Sequence, residues 1–189
     1  MDYLLIFSIV LLSLFALSPS VFAQTEIPYD QKMNELDSET ATFALGCFWG
    51  PDASFGALEG VIRTRVGYAG GSTEGPTYKM IGDHTETIEI DYDPAVISYR
   101  ELLEIFFDSH NPYSQSYSRQ YASLILYNNS EQQQVARVMK EELESESGRE
   151  IKTEIKELDR FYLAEDYHQK FRLQQQVAFR EHYLNQMTM

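Results

Sequence analysis

The stretch ETIEIDYDPAVISYRELL, residues 86–103, carries two different periods in succession. Glu86, Ile88, Ile90 and Tyr92 fall on one side of an extended chain, with Thr87, Glu89 and Asp91 on the other, so its first seven residues read as a strand with one apolar face. Glu86 therefore lies on the apolar face, an unusual place for a carboxyl group. Asp93-Pro94 ends the strand. Ser98 with Glu101 three residues later forms a capping box, which opens a helix through Leu102, Leu103, Ile105 and Phe106 to His110, and Asn111-Pro112 stops it.

Upstream, Val61 to Tyr68 is a second strand, broken by Ala69-Gly70-Gly71-Ser72 into a loop that reaches Thr77. Before it, Thr42-Phe43-Ala44-Leu45-Gly46 looks like a buried strand, and Phe48, Phe55 and Leu58 fall at helical spacing. Downstream, Tyr121 to Tyr127 is a strongly apolar strand, Ser130 with Gln133 opens a capped helix ending near Gly148, and Ile151 to Leu158 is a further strand. Phe161 to Leu184 has aromatic, amphipathic helical character. Strand, helix, strand, strand, helix, strand is the split βαβ order, so the expected fold is α+β: a ferredoxin-like two-layer sandwich with a mixed sheet and added C-terminal helices.

The chain has 189 residues, 43% of them hydrophobic, enough for one domain with a sizeable core. Its formal charge of −14 argues against nucleic acid or an anionic membrane surface as a partner, since both would repel it. Tyr3 to Leu17 is apolar almost without interruption, and Val21-Phe22-Ala23 precedes Gln24 as a cleavage site would. Residues 1–23 thus read as a signal peptide, although Asp2 stands where a lysine or arginine is usual. The run is short of the ~20 residues that span a bilayer. Residues 24–40 read as a linker or N-terminal arm and 41–189 as the catalytic domain. The expected protein is exported, to the periplasm, the secretory pathway or the extracellular space, with no stable membrane association after cleavage.

Export usually brings disulfides, yet Cys47 is the one cysteine of the chain and can form no internal bridge. It sits at a strand-to-helix turn, where unsatisfied backbone N–H groups and the positive end of the helix dipole favour thiolate over thiol. Phe48 and Trp49 follow at once, placing a large apolar surface beside a candidate nucleophile.

Gly46-Cys47-Phe48-Trp49-Gly50 closely resembles the signature of the A-type peptide methionine sulfoxide reductases. Gly67-Tyr68-Ala69-Gly70-Gly71, Pro76-Thr77-Tyr78, His84-Thr85-Glu86, Gln120-Tyr121 and Ala164-Glu165-Asp166-Tyr167-His168-Gln169 are similar to further family elements in the family's order. The resemblance implies thiol-dependent reduction of methionine-S-sulfoxide in proteins, with use of the free amino acid left open, through a cysteine sulfenic acid at Cys47. Glu86 would be the proton donor, because a sulfoxide is a poor electrophile until its oxygen is protonated and desolvation keeps a carboxyl protonated near neutral pH. Tyr78 and Tyr121 correspond to the tyrosines that hydrogen-bond the sulfoxide oxygen, and Phe48 and Trp49 would cradle the S-methyl group.

Two departures from the family pattern stand out. Ser116 occupies the spacing at which many members carry an Asp, leaving Ser116, Asn111 or solvent to do its work, with Asp108 a more distant acid. No resolving cysteine follows, so the resemblance implies an external thiol reductant: a thioredoxin-like or glutaredoxin-like protein, or a small thiol. Asp166 and His168 are expected to brace the site from behind. His84, His110 and His182 are too scattered for a metal, and no cofactor fingerprint is present. The expected partners are oxidised proteins and the reductant, with the enzyme a monomer. A one-cysteine peroxidase and a non-catalytic sulfoxide-binding or redox-sensing module are the rival readings.

Overall fold

The computed structural model describes residues 37–176. The expected signal peptide, residues 24–36 of the expected arm, His182 and the far end of the expected terminal helix lie outside the described residues. Six strands, β1 (Glu39–Leu45), β2 (Val61–Ala69), β3 (Thr85–Tyr92), β4 (Ser123–Tyr127), β5 (Glu154–Glu157) and β6 (Tyr162–Leu163), form one sheet in the order β5-β4-β1-β3-β2-β6. β1 opens at Glu39, inside the stretch read as an arm. Every pairing is antiparallel except β4 with β5, which makes the sheet mixed and the fold α+β.

Between the strands run three helices: α1 (Trp49–Phe55), α2 (Tyr99–Asp108) and α3 (Ser130–Ser147). Phe43 of β1, Ile88, Ile90 and Tyr92 of β3 and Ile125 of β4 share one buried cluster with Phe55 of α1, Leu102, Leu103 and Phe106 of α2, and Ala136 and Met139 of α3. All three helices therefore cover the same face of the sheet, the one to which Glu86 also belongs. At roughly 1.5–3 kcal/mol for each large apolar side chain removed from water, this cluster is the main stabilising term. Phe43 is central to it, with ring centroids 5.1 Å from Phe106 and 6.1 Å from Phe55. Ala44, Ala69, Leu124 and Leu126 form a smaller cluster under Leu158 and Phe161 on the other side.

The capping box of α2 forms as expected: Ser98 accepts from the Glu101 N–H, and the Glu101 carboxylate accepts from the Ser98 N–H at 2.8 Å. α3 starts differently. Its N-cap is Asn129, whose side chain accepts from Gln132 N at 2.9 Å, so the box of Ser130 and Gln133 is not what opens it. α1 stops at Phe55 rather than Leu58. Tyr121 lies in a 3-10 turn, Arg119–Tyr121, capped by the Ser118 side chain, and β4 begins only at Ser123.

The largest correction concerns the continuous helix expected from Phe161. Tyr162 and Leu163 instead pair with Tyr68 and Gly67 of β2, Asp166–His168 is a 3-10 turn, and helical structure starts at residue 171. The cause is the exposed edge of β2, whose backbone groups need partners. Ala164 N donates to Val66 O at 3.0 Å, and the Gln169 side-chain amide reaches both N and O of Val66, at 3.0 and 2.9 Å. Gly67 permits this approach, since a Cβ there would overlap Tyr162 O and the Phe161 ring.

Candidate active site

β1 ends at Leu45, and Gly46, at φ +96°, turns the chain in a conformation that costs glycine little. The turn leaves Cys47 exposed, two residues ahead of α1. Phe48, the N-cap residue, has a free backbone N–H, which it donates to Glu86 Oε2 at 3.1 Å. Glu86 Oε1 accepts from Gln120 Nε2 at 2.7 Å. One carboxyl, 1% exposed, thus joins β3, the cysteine turn and the 3-10 turn that carries Tyr121.

Burial pushes the Glu86 carboxyl up from its ordinary pKa, and the bonds from Gln120 and Phe48 pull it partly back. The Cys47 thiol is also raised, against the direction expected from a helix start alone. Desolvation is the largest influence on the thiol; the Trp49 backbone N–H lowers it, the Glu86 carboxylate raises it, and the Arg172 guanidinium lowers it. A seven-residue helix end offers only about 0.3–1 kcal/mol to a nearby negative charge, and burial beside a carboxylate outweighs that. A carboxylate at Glu86 works against a thiolate at Cys47. Thiolate with carboxylic acid, or thiol with carboxylate, are the arrangements the site favours over two anions.

Tyr121 feels the same charges: burial, then Glu86, then Tyr78, Tyr117 and Cys47 push its phenol up to about 12, so it stays a hydrogen-bond donor throughout the neutral range. Tyr78 is half-buried, fixed by its N–H bond to Glu165 Oε1 at 3.0 Å and by a ring contact with His168 at 4.5 Å. Phe48 is fully buried against His168 and Tyr68, at 5.2 and 6.1 Å. Trp49 is half-buried, with Nε1 donating to His168 Nδ1 at 3.1 Å and the indole stacked on Phe171 at 3.9 Å. Phe48 is thus a packed floor and Trp49 a wall with one face already covered.

The segment 165–172 holds these rings in place. Glu165 accepts from Tyr68 OH at 2.8 Å as well as from Tyr78 N. His168 is buried as the expected brace, but Asp166 is exposed, and Glu165 takes its place. Lys170, at φ +52°, bonds its N–H and its ammonium to the buried Asp52 of α1, at 2.8 and 2.6 Å. Neither Gln120 nor Glu165 was singled out from sequence. Their only signal was adjacency, to Tyr121 and within the C-terminal motif.

Beside Cys47 lies an open cleft of about 460 Å³, lined by His110, Asn111, Ser114, Ser116, Tyr117 and Tyr121 among others. Ser116 Oγ donates to Ser118 O at 2.9 Å and accepts from Ser118 N, closing its own loop. Asn111 accepts from Tyr113 N at 3.2 Å. Asp108 is exposed at the end of α2 and does not line the cleft. His84 serves the 71–73 loop, accepting from Gly71 N and bonding Thr73 O.

A family profile described as Peptide methionine sulfoxide reductase matches residues 39–188. A Drosophila melanogaster protein named Peptide methionine sulfoxide reductase is 56% identical over 137 residues, 71% of this chain and 56% of that protein, so the match spans little more than half the relative's length. The reduced form of Mxr1 from Saccharomyces cerevisiae superposes with a TM-score of 0.67 at 30% identity, covering 71% of this chain and 83% of the yeast chain. Mxr1 in complex with Trx2 gives 0.54 at 27% identity, over 71% and 84%.

Proposed function

The chain belongs to the peptide methionine sulfoxide reductase family, and on that premise we propose that it reduces methionine-S-sulfoxide to methionine, with Cys47 as nucleophile and Glu86 as acid. The observation that carries this is the Glu86 carboxyl: buried, raised in pKa, and hydrogen-bonded to the backbone of the residue after Cys47. The Cys47 thiolate attacks the sulfoxide sulfur while the oxygen takes a proton from Glu86, with Tyr78 and Tyr121 donating hydrogen bonds to it. The S–O bond and the new bond between the two sulfurs then both break as the protonated oxygen passes to the cysteine sulfur, forming its S–OH bond. Sulfoxide sulfur gains two electrons and Cys47 loses two, leaving methionine and Cys47 sulfenic acid. The single negative charge shared by Cys47 and Glu86 suits this step, which needs a thiolate and a protonated carboxyl together.

The half-buried Trp49 offers the apolar contact for the S-methyl group, with the buried Phe48 packed beneath it, which favours one sulfoxide epimer, the S form in this family. The β4-β1-β3-β2 order under helices on one face supports reading the core as a ferredoxin-like sandwich with β5, β6 and the C-terminal segment added. Oxidised proteins are the substrates, and the protein works as an exported monomer that repairs them.

Regeneration follows from the one cysteine of the chain. An outside thiol attacks the sulfenic acid, releasing water and forming a mixed disulfide, and a second thiol frees Cys47 as a disulfide leaves. The Trx2 complex of the yeast neighbour supports a thioredoxin-like protein in that role. Quench-flow of the reduced protein with a methionine sulfoxide peptide and no added thiol tests the scheme. One methionine per active site followed by arrest, with a single oxygen added to Cys47 by mass spectrometry, is expected. Repeated turnover without thiol would sink it.

A further inference from the structure

Tyr117 is 90% exposed, an unusual state for a large aromatic side chain beside a reactive centre. Its ring is not free to wander: it sits 5.8 Å from the ring of Tyr121, on a loop closed by the Ser116–Ser118 bonds. Together with Ser114, Ser116 and Asn111 it lines the cleft that opens directly onto Cys47. That lining contains no Asp, Glu, Lys or Arg. A free amino acid would bring an ammonium and a carboxylate to this wall and gain no charged partner for either, since its one imidazole, His110, is already bonded to Phe106 O and Ser123 Oγ. A residue inside a polypeptide carries neither charge, and its neighbours bring apolar side chains and backbone amides, which an exposed tyrosine and a row of hydroxyl and amide groups can receive.

We propose that the Ser114–Tyr121 side of this cleft is a subsite for the residues flanking a methionine sulfoxide in an uncharged stretch of polypeptide, with Tyr117 stacking on a flanking side chain. The inference rests on the reductase reading above and makes this chain discriminate peptide from free sulfoxide. Its continuity with Cys47 selects the occupant, since a peptide whose sulfoxide reaches the thiol must run its flanks out along an adjoining wall.

The test is single-turnover kinetics of the reduced protein, without thiol, on a blocked tripeptide of Leu, methionine sulfoxide and Phe and on free methionine sulfoxide. Tyr117→Ala is expected to lower the peptide-to-free efficiency ratio about two- to tenfold, the worth of one aromatic contact, through a higher half-saturation for the peptide at an unchanged limiting rate. Tyr117→Phe keeps the ring and should keep the ratio. An unchanged ratio in Tyr117→Ala overturns the subsite. So does a defect confined to regeneration by added thiol, which would assign the wall to the reductant. A wild-type protein that reduces neither substrate overturns the reductase reading, and the subsite with it.

Discussion

Gln120 touches no expected substrate atom, yet it donates the shorter of the two hydrogen bonds that hold the Glu86 carboxylate, 2.7 Å against 3.1 Å. Replacing it with methionine keeps the volume and removes the donor. A hydrogen bond to a charged group is worth about 1.5–3 kcal/mol, and one pKa unit is about 1.4 kcal/mol. Gln120 is half-buried, so solvent replaces part of the loss and the low end applies. The Glu86 pKa should therefore rise by about one further unit. The reactive arrangement is thiolate plus carboxylic acid, so the single-turnover rate rises with pH as the pair loses its first proton and falls as it loses the second. Gln120→Met should move the falling limb about one pH unit upward and hold the plateau within a few-fold. Rapid-quench measurement of methionine formed at saturating peptide, across a pH series, reads the limb directly. A falling limb that moves down, or stays put, would refute Glu86 as the proton source and Gln120 as its positioning residue.

Cys47→Ser should abolish reduction, and Glu86→Gln should slow the single-turnover step by about 10² to 10⁴, the worth of a placed general acid. The same Glu86→Gln protein should gain stability relative to the parent as pH rises above the ordinary carboxyl range: a raised folded pKa means that stability is present at acid pH and lost as pH climbs through it, and glutamine carries no such loss. Denaturant melts at several pH values check the sign. Asp52→Asn should cost about 1–3 kcal/mol by urea unfolding, less than the ~3–5 kcal/mol of a fully buried pair, because the Lys170 side chain is 41% exposed. N-terminal sequencing tests the proposed export: a mature protein that begins near Gln24 is expected, and an intact Met1 on protein from the membrane fraction would refute cleavage.

Glu86 was legible because alternation along β3 is a local pattern and the strand obeys it, with Ile88, Ile90 and Tyr92 buried on the same face. Cys47, Phe48 and Trp49 were legible for a similar reason, as a glycine-bounded turn between a strand and a helix. What was lost depends on contacts between distant parts of the chain. Residues 162–169 carry apolar spacing that suits a helix, but β2 leaves the outer edge of Val66 without partners and takes them from Ala164 and Gln169, about a hundred positions away. Gln120 looks like an ordinary polar residue beside a tyrosine until the fold brings it to a carboxylate 34 positions earlier.

A helix terminus alone would hold a standing thiolate at Cys47, reactive toward any oxidant that reached an exposed sulfur. Burial and the Glu86 carboxylate instead raise the thiol, so that ionising it without protonating Glu86 places two negative charges in one poorly solvated site. The nucleophile is therefore strongest when the acid is loaded, and the acid is used only on an oxygen that accepts its proton. The proposed step thus couples the thiol to the carboxyl. In Glu86→Gln that link is cut: Cys47 should titrate lower than in the parent when alkylation by iodoacetamide is followed against pH, while sulfoxide reduction falls. A thiol pKa that rose on removing the carboxylate would show that the two groups do not share a charge.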